Sequence, residues 1–283
     1  MQKAFILSLF LVPALLSAET WESQLKEAIR LQRTGKLKPA EEMLMKAQLT
    51  AEAFGPADPR AAYTLDYLGT LYMQEGAKSD ALAVFAKALR GFDASLGPDS
   101  SEAQESAKRL AEAYEADEQW ELATPLYRRL AETARKDPKT EPLALAERIS
   151  DLAFALDAQK QWDEALPLYD EALGIRQKAL GGDAAEVAET LNNQARIWLL
   201  KGDAPKAVGL FREALAIDEK ALGQEHPTVA DDARRLAAAL NKAGKASEAA
   251  PLEARAQAID DKNAEAAAKK KGPKPHAVIL PQP

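Results

Sequence analysis

The chain has 283 residues, a formal charge of −7 at pH 7, two histidines and no cysteine. The missing thiol excludes disulfides, cysteine nucleophiles and thiolate metal sites, and His226 and His276 have no partner motif that would make a zinc centre or a hydrolytic triad. An acidic balance also argues against nucleic acid, whose affinity comes largely from Lys and Arg at phosphates.

The first eighteen residues stand apart. Lys3 precedes an apolar run from Ala4 to Leu16, and Ser17-Ala18 closes the run before Glu19. Such a run is short for a helical span of about 30 Å of hydrocarbon, and small residues end it where signal peptidase cuts. It therefore predicts a secretory signal peptide, 1–18, removed after Ala18. Cleavage after Ala14, or retention as an anchor, is the alternative. The mature chain is expected to be exported, to a bacterial periplasm or to the medium, without membrane insertion after cleavage.

From Trp21 onward the sequence repeats. Gly55, Gly97, Lys139, Gly181 and Gly223 keep a 42-residue step, as do Ala81, Ala123, Ala165, Ala207 and Ala249, and Phe85, Tyr127, Tyr169, Phe211 and Glu253. Independent columns sharing one period indicate stacked structural repeats. Six units follow in order, near 21–55, 61–97, 103–139, 145–181, 187–223 and 229–261, within a repeat body of 19–261. In each unit a small residue such as Ala195 precedes a bulky one (Trp198), a turn (Gly202-Asp203), and then Ala207, Phe211 and Ala214. These are the intervals of two antiparallel helices whose small residues let the backbones approach.

Several departures sit inside this frame. Glu118 and Lys160 replace the glycine between the two helices in units three and four, and 135–142 replaces the usual Leu-Gly exit. Pro125, Pro167 and Pro251 share one column in the first two turns of the second helix, where a missing N–H costs least. Trp120 and Trp162 share another and are expected to pack between repeats. Unit six has Glu253 in place of the aromatic, which suits a capping helix with a polar face. The Lys- and Pro-rich tail, 262–283, is expected to be disordered. The charge of −7 divides into +1 at Lys3, +4 in this tail and −12 in the repeat body.

The repeat resembles the tetratricopeptide repeat, in the 42-residue form of kinesin light chains and their bacterial relatives. The resemblance is carried by 147–181 and 189–227, with Leu191, Ala195, Trp198, Ala207, Phe211 and Ala214 at the family's signature intervals. It implies an all-α solenoid of six helical hairpins in a right-handed superhelix, non-enzymatic and without cofactor or metal, that binds a protein or peptide along its first helices. The positions so implied are Asp66, Tyr67 and Thr70, then Lys108, Arg109 and Glu112, then Ser150, Asp151 and Phe154, then Asn192, Asn193 and Arg196, and finally Arg234, Arg235 and Ala238.

Tyr63 and Tyr67 offer aromatic contact. The Asn192-Asn193 pair resembles the asparagines with which kinesin light chains hold an extended peptide backbone, a task suited to amides that both donate and accept. Arg196, Arg234, Arg235 and Lys242 make one end cationic, so an acidic partner segment is expected there. The expected function is an exported scaffold with a peptide or protein in its groove. The alternatives are a structural subunit of an envelope or secretion assembly, a regulatory partner of an enzyme, and a hydrolase without a recognised motif.

Overall fold

The computed structural model describes residues 20–271; the segment expected to be a signal peptide and the end of the tail lie outside them. The described residues hold twelve helices in two compact units that meet in sequence at Glu118 and Gln119. The first unit contains α1 (Trp21–Arg33), α2 (Leu37–Glu52), α3 (Arg60–Glu75), α4 (Lys78–Ser95) and α5 (Ser101–Ala116). The second contains α6 (Trp120–Lys136), α7 (Pro142–Ala158), α8 (Trp162–Leu180), α9 (Ala185–Leu200), α10 (Ala204–Leu222), α11 (Pro227–Lys242) and α12 (Ala246–Lys271). The pairs α1/α2, α3/α4, α7/α8, α9/α10 and α11/α12 pack as hairpins, and each hairpin also packs on its sequence neighbour within its unit.

The periodic columns are the packing surfaces. Ala195, Ala207 and Ala214 are fully buried, and Leu191, Phe211 and Leu215 fill the space around them. In the first unit Ala28, Leu31, Ala40, Leu44, Leu68 and Leu71 form the equivalent core, with Tyr67 and Tyr72 against its edge. Small residues at the helix crossings and larger ones beside them bury each hairpin's apolar stripe on the next, which a single hairpin cannot do. Trp120 meets the ring of Phe154 edge-on at 5.5 Å, and Trp162 donates to Asp157 Oδ1 at 3.1 Å. Trp120 therefore packs between repeats, as expected, whereas the Trp162 contact stays within its own hairpin.

The turns follow their sequences. Ser100 and Asp203 accept from the backbone N–H groups of Ala103 and Lys206, capping α5 and α10. Between paired helices the chain passes through a left-handed residue, which is glycine at 35, 76, 202 and 244 but Glu118 and Lys160 at the two substituted positions, with φ of +55° and +60°. The period thus outlasts the residue that best suits the turn.

The expected tail boundary at residue 262 moves. Helix α12 runs on to Lys271, because the segment 264–268 is rich in Ala and favours helix, and because Lys262 pairs with Glu225 while Asn263 Nδ2 donates to Glu225 O at 3.0 Å. No described helix is long and apolar enough to cross a membrane.

Candidate functional site: two helix-lined grooves

Each unit contains one large groove lined mainly by first helices. In the first unit α3 presents Tyr63, Asp66, Tyr67, Thr70 and Gln74, spacings that put all five on one helical face. With α1 and α5 they line a space of about 630 Å³, with Phe92 of α4 also at its wall. The Tyr63 hydroxyl donates to Glu102 Oε1 at 3.0 Å, and its ring meets Phe92 edge-on at 4.9 Å. Arg109, reaching over from α5, pairs with the nearly buried Asp66 and with Glu105 Oε1 at 3.1 Å. Burial pushes the Asp66 carboxyl above the usual range, and Arg109 and Ser106 pull it back.

The second groove has a volume of about 750 Å³ and is formed by α9, α10 and α11. Helix α9 presents Glu189, Asn192, Asn193 and Arg196 on one face, α10 presents Phe211 and Asp218, and α11 presents Thr228 and Arg235. Beneath them Asp232 is completely buried. Its Oδ1 accepts from Asn192 Nδ2 at 2.8 Å and from Arg235 Nη1 at 2.9 Å. Asp218, 3% exposed, is pushed up to about 7, first by burial and then by a hydrogen bond with Asp232, an arrangement that requires a proton between the two carboxyls. Arg196 is occupied on its other side, where it pairs with the buried Asp157 of α7.

The two grooves use the same columns. Tyr63, Asp66, Tyr67, Thr70, Phe92, Glu102 and Arg109 correspond, three 42-residue periods later, to Glu189, Asn192, Asn193, Arg196, Asp218, Thr228 and Arg235. Of the residues expected to bind a partner, Tyr63, Tyr67, Thr70 and Arg109 come together in the first groove, and Asn192, Asn193, Arg196 and Arg235 in the second. Lys108 and Arg234 line neither. Lys108 lies 3.8 Å from Glu112, and Arg234 pairs with Asp231 at 2.9 Å and with Asp260 of α12.

The charge of the arginine-rich end also reads differently in three dimensions. Counted along the sequence, Arg196, Arg234 and Arg235 are available cations. In the structure Asp157, Asp231 with Asp260, and Asp232 each hold one of them. Asp218 and Asp232 are the site residues that periodicity alone passes over as solvated acids. The column of Asp218 carries little signal, since it holds Phe92, Ala134, Arg176, Asp218 and Asp260 in turn.

Comparison with known proteins places this architecture. A tetratricopeptide-repeat family model matches residues 143–220 and a second matches 106–141. No curated protein matches the chain. Among solved structures, a kinesin-light-chain candidate from Podosopora anserina, with nearly identical TPR-like repeats, is 24% identical; the match covers 73% of this chain and 98% of that one, with a TM-score of 0.64. BtubC (BKLC) from P. vanneervenii is 21% identical over 93% of this chain and 98% of its own, with a TM-score of 0.62. MamA from Desulfovibrio magneticus RS-1 is 16% identical over 71% of this chain and 97% of its own, with a TM-score of 0.54. At these identities the likeness is one of fold. With two family models matched between residues 106 and 220, and kinesin-light-chain-like neighbours in fold, this is a chain that carries tetratricopeptide repeats.

Proposed function

We propose that the chain is a non-enzymatic scaffold that holds a segment of a protein partner in its helix-lined grooves, and that it works outside the cytoplasm after losing residues 1–18. The observation that carries the groove reading is the shared set of columns. The packing positions keep one character through the repeats, whereas six of the seven groove positions change, from aromatic and acidic to amide, acidic and cationic, while Arg109 and Arg235 agree. Of these, Tyr63, Tyr67, Thr70, Asn193 and Arg196 are partly exposed, and such positions are where a partner selects side chains. Export is supported by the apolar run and the small residues that end it.

The test is a photo-crosslinking amino acid placed in turn at Tyr67 and Asn193, inside the grooves, and at Met45 and Leu122, on exposed faces of α2 and α6. Partner adducts from Tyr67 or Asn193 are expected. Adducts confined to Met45 and Leu122 instead support the second reading, a structural subunit that packs through its second helices, which those exposed apolar side chains favour. Export is checked separately by N-terminal sequencing of the native protein, which should begin at Glu19; an intact Met1 overturns it.

A further inference from the structure

The floor of the second groove holds more hydrogen-bond acceptors than the chain supplies with donors. Apart from the proton shared between the two carboxyls, Asn192 Oδ1, Asp218 Oδ1 and Asp232 Oδ2 are buried and receive no donor from the chain, and they come from three different helices, α9, α10 and α11. The donors within reach, Asn192 Nδ2 and Arg235 Nη1, both converge on the other oxygen of Asp232. Arg196 at the rim is held by Asp157. Two buried carboxyls therefore share one guanidinium, and Glu189 at the mouth adds a third negative charge, itself 3.6 Å from Arg176 of α8. Acceptors gathered without donors, and carboxylates outnumbering cations, call for a positively charged donor or a proton.

We propose that the groove formed by α9, α10 and α11 receives a basic side chain of its guest, a lysine ammonium or an arginine guanidinium, on the buried oxygens of Asn192, Asp218 and Asp232. This rests on the groove reading above and gives its partner a chemistry opposite to the acidic one that the arginine count suggests. An ammonium carries three donors and a guanidinium five, enough to satisfy all three oxygens. In the free protein the proton between Asp218 and Asp232 takes that place. An arriving cation displaces it to solvent, and the guest's charge then balances the pair.

The corresponding column in the first groove shows that the arrangement is particular to this site. Phe92 stands where Asp218 stands, and Arg109 pairs with Asp66 without a second buried carboxyl beside it. An aromatic wall of Tyr63, Tyr67 and Phe92 replaces the acceptor cluster. The first groove has one buried carboxylate oxygen without a partner, Asp66 Oδ1, but no second buried carboxyl beside it to share a cation.

The probes are fluorescein-labelled hexalysine and hexaglutamate peptides, blocked at both ends and followed by anisotropy at pH 7.5 on the full mature chain. Hexalysine should bind more tightly than hexaglutamate. Asp218→Asn should weaken it by about tenfold, as expected for loss of a charge-assisted contact. Glu213→Gln, which removes the same charge from an exposed position on the same helix, should weaken it by less than about twofold. Unaltered protein supplies a second measurement that needs no folded variant. With Asp232 and Arg235 of α11 and Glu189 of α9 facing Asp218, hexalysine affinity should fall between pH 8 and pH 5.5 as the proton returns. Preference for hexaglutamate, equal loss in the two variants, or hexalysine affinity that does not fall over this range overturns the proposal. The groove reading fails by a different result. A partner crosslinked at Asn193 through a segment without Lys or Arg removes the cation and keeps the groove, whereas crosslinks from second helices alone remove the groove.

Discussion

The grooves of the two units are built on one plan and lined by different side chains. Columns three periods apart give Tyr63 and Glu189, Asp66 and Asn192, Tyr67 and Asn193, Phe92 and Asp218. Arg109 and Arg235, also three periods apart, are the same residue although their 42-residue column also holds Tyr67, Asp151 and Asn193, and in both grooves the guanidinium reaches a buried aspartate of its own unit. In both grooves this arginine is tied up by that aspartate, while the residues around it differ. A cation in a repeat groove is not by itself evidence of an acidic ligand; the acids already beside it decide how much of its charge a partner meets.

The comparison is most easily broken through the buried ion pairs. Asp157 has a fully enclosed side chain, and Asp66 is 10% exposed at its own. Burial raises both carboxyls and the paired arginine lowers each. Arg196→Ala should cost about 3 kcal/mol and Arg109→Ala about 2, since each strands a carboxylate and the first is the more deeply buried. Urea denaturation of each variant checks this. Losses near zero at both sites would return the arginines to the status of free groove cations.

Asp218 sharpens the comparison next, because the first groove has no equivalent. Its folded-state pKa of about 7 lies above the ordinary value for aspartate. Between those values the folded chain holds a proton that the unfolded chain has lost, so this group's contribution is full below the ordinary carboxylate range and is lost as pH rises through 7. Asp218→Asn should remove that loss, raising stability at pH 8 by on the order of 2 kcal/mol and much less at pH 5. Parallel melting-temperature profiles of the two proteins between pH 5 and pH 8 would contradict the shared proton.

Most of the architecture is legible in the sequence, because packing repeats. The hairpins, their order and the packing of Trp120 between repeats follow from such repeating columns, as with Ala195, Ala207 and Phe211, whose burial depends on their own repeat and its neighbour. The groove is legible only in part. Tyr67, Asn193 and Arg235 line the grooves as helical spacing expects, since it fixes which residues share a face. Their electrostatic state is not, because Arg196 meets Asp157 and Arg234 meets Asp260 through pairings 39 and 26 residues apart that fall outside the 42-residue step. The end of α12 was likewise decided by long-range partners, through Glu225.

A smaller effect separates the two cores. Gly69 occupies a column that is otherwise alanine, and a Cβ built there would lie 2.6 Å from the Phe85 ring. Three periods later Ala195 packs beside Phe211 in the same core without such a constraint. Gly69→Ala should therefore cost about 1–2 kcal/mol from overpacking, although alanine is the better helix former. Ala195→Gly should cost about 1 kcal/mol for the opposite reason, lost helix propensity and a lost methyl contact. If Gly69→Ala stabilises the protein, the ring gives way easily and the two helix crossings are equivalent.

The smallest expected effect lies in the turns between paired helices. Lys160 holds φ at +60° in the position that Gly202 and Gly244 occupy in the following hairpins. A left-handed conformation brings the lysine Cβ toward the next carbonyl oxygen at a cost of about 1–2 kcal/mol, partly offset because glycine loses more backbone freedom on folding. Lys160→Gly should accordingly stabilise by about 0.5–1 kcal/mol. Gly202→Lys should destabilise by a similar amount, since the turn closes on the same backbone pattern: Asp203 N donates to Trp198 O at 2.9 Å and Gln161 N to Leu156 O at 2.9 Å. Denaturation midpoints of the two variants test this together. Opposite signs of comparable size show that the turn conformation is imposed by helix packing and merely accommodated by its central residue. A neutral Lys160→Gly would mean that the lysine stem makes contacts there which repay the strained backbone, and the turns would then differ between hairpins in more than their central residue.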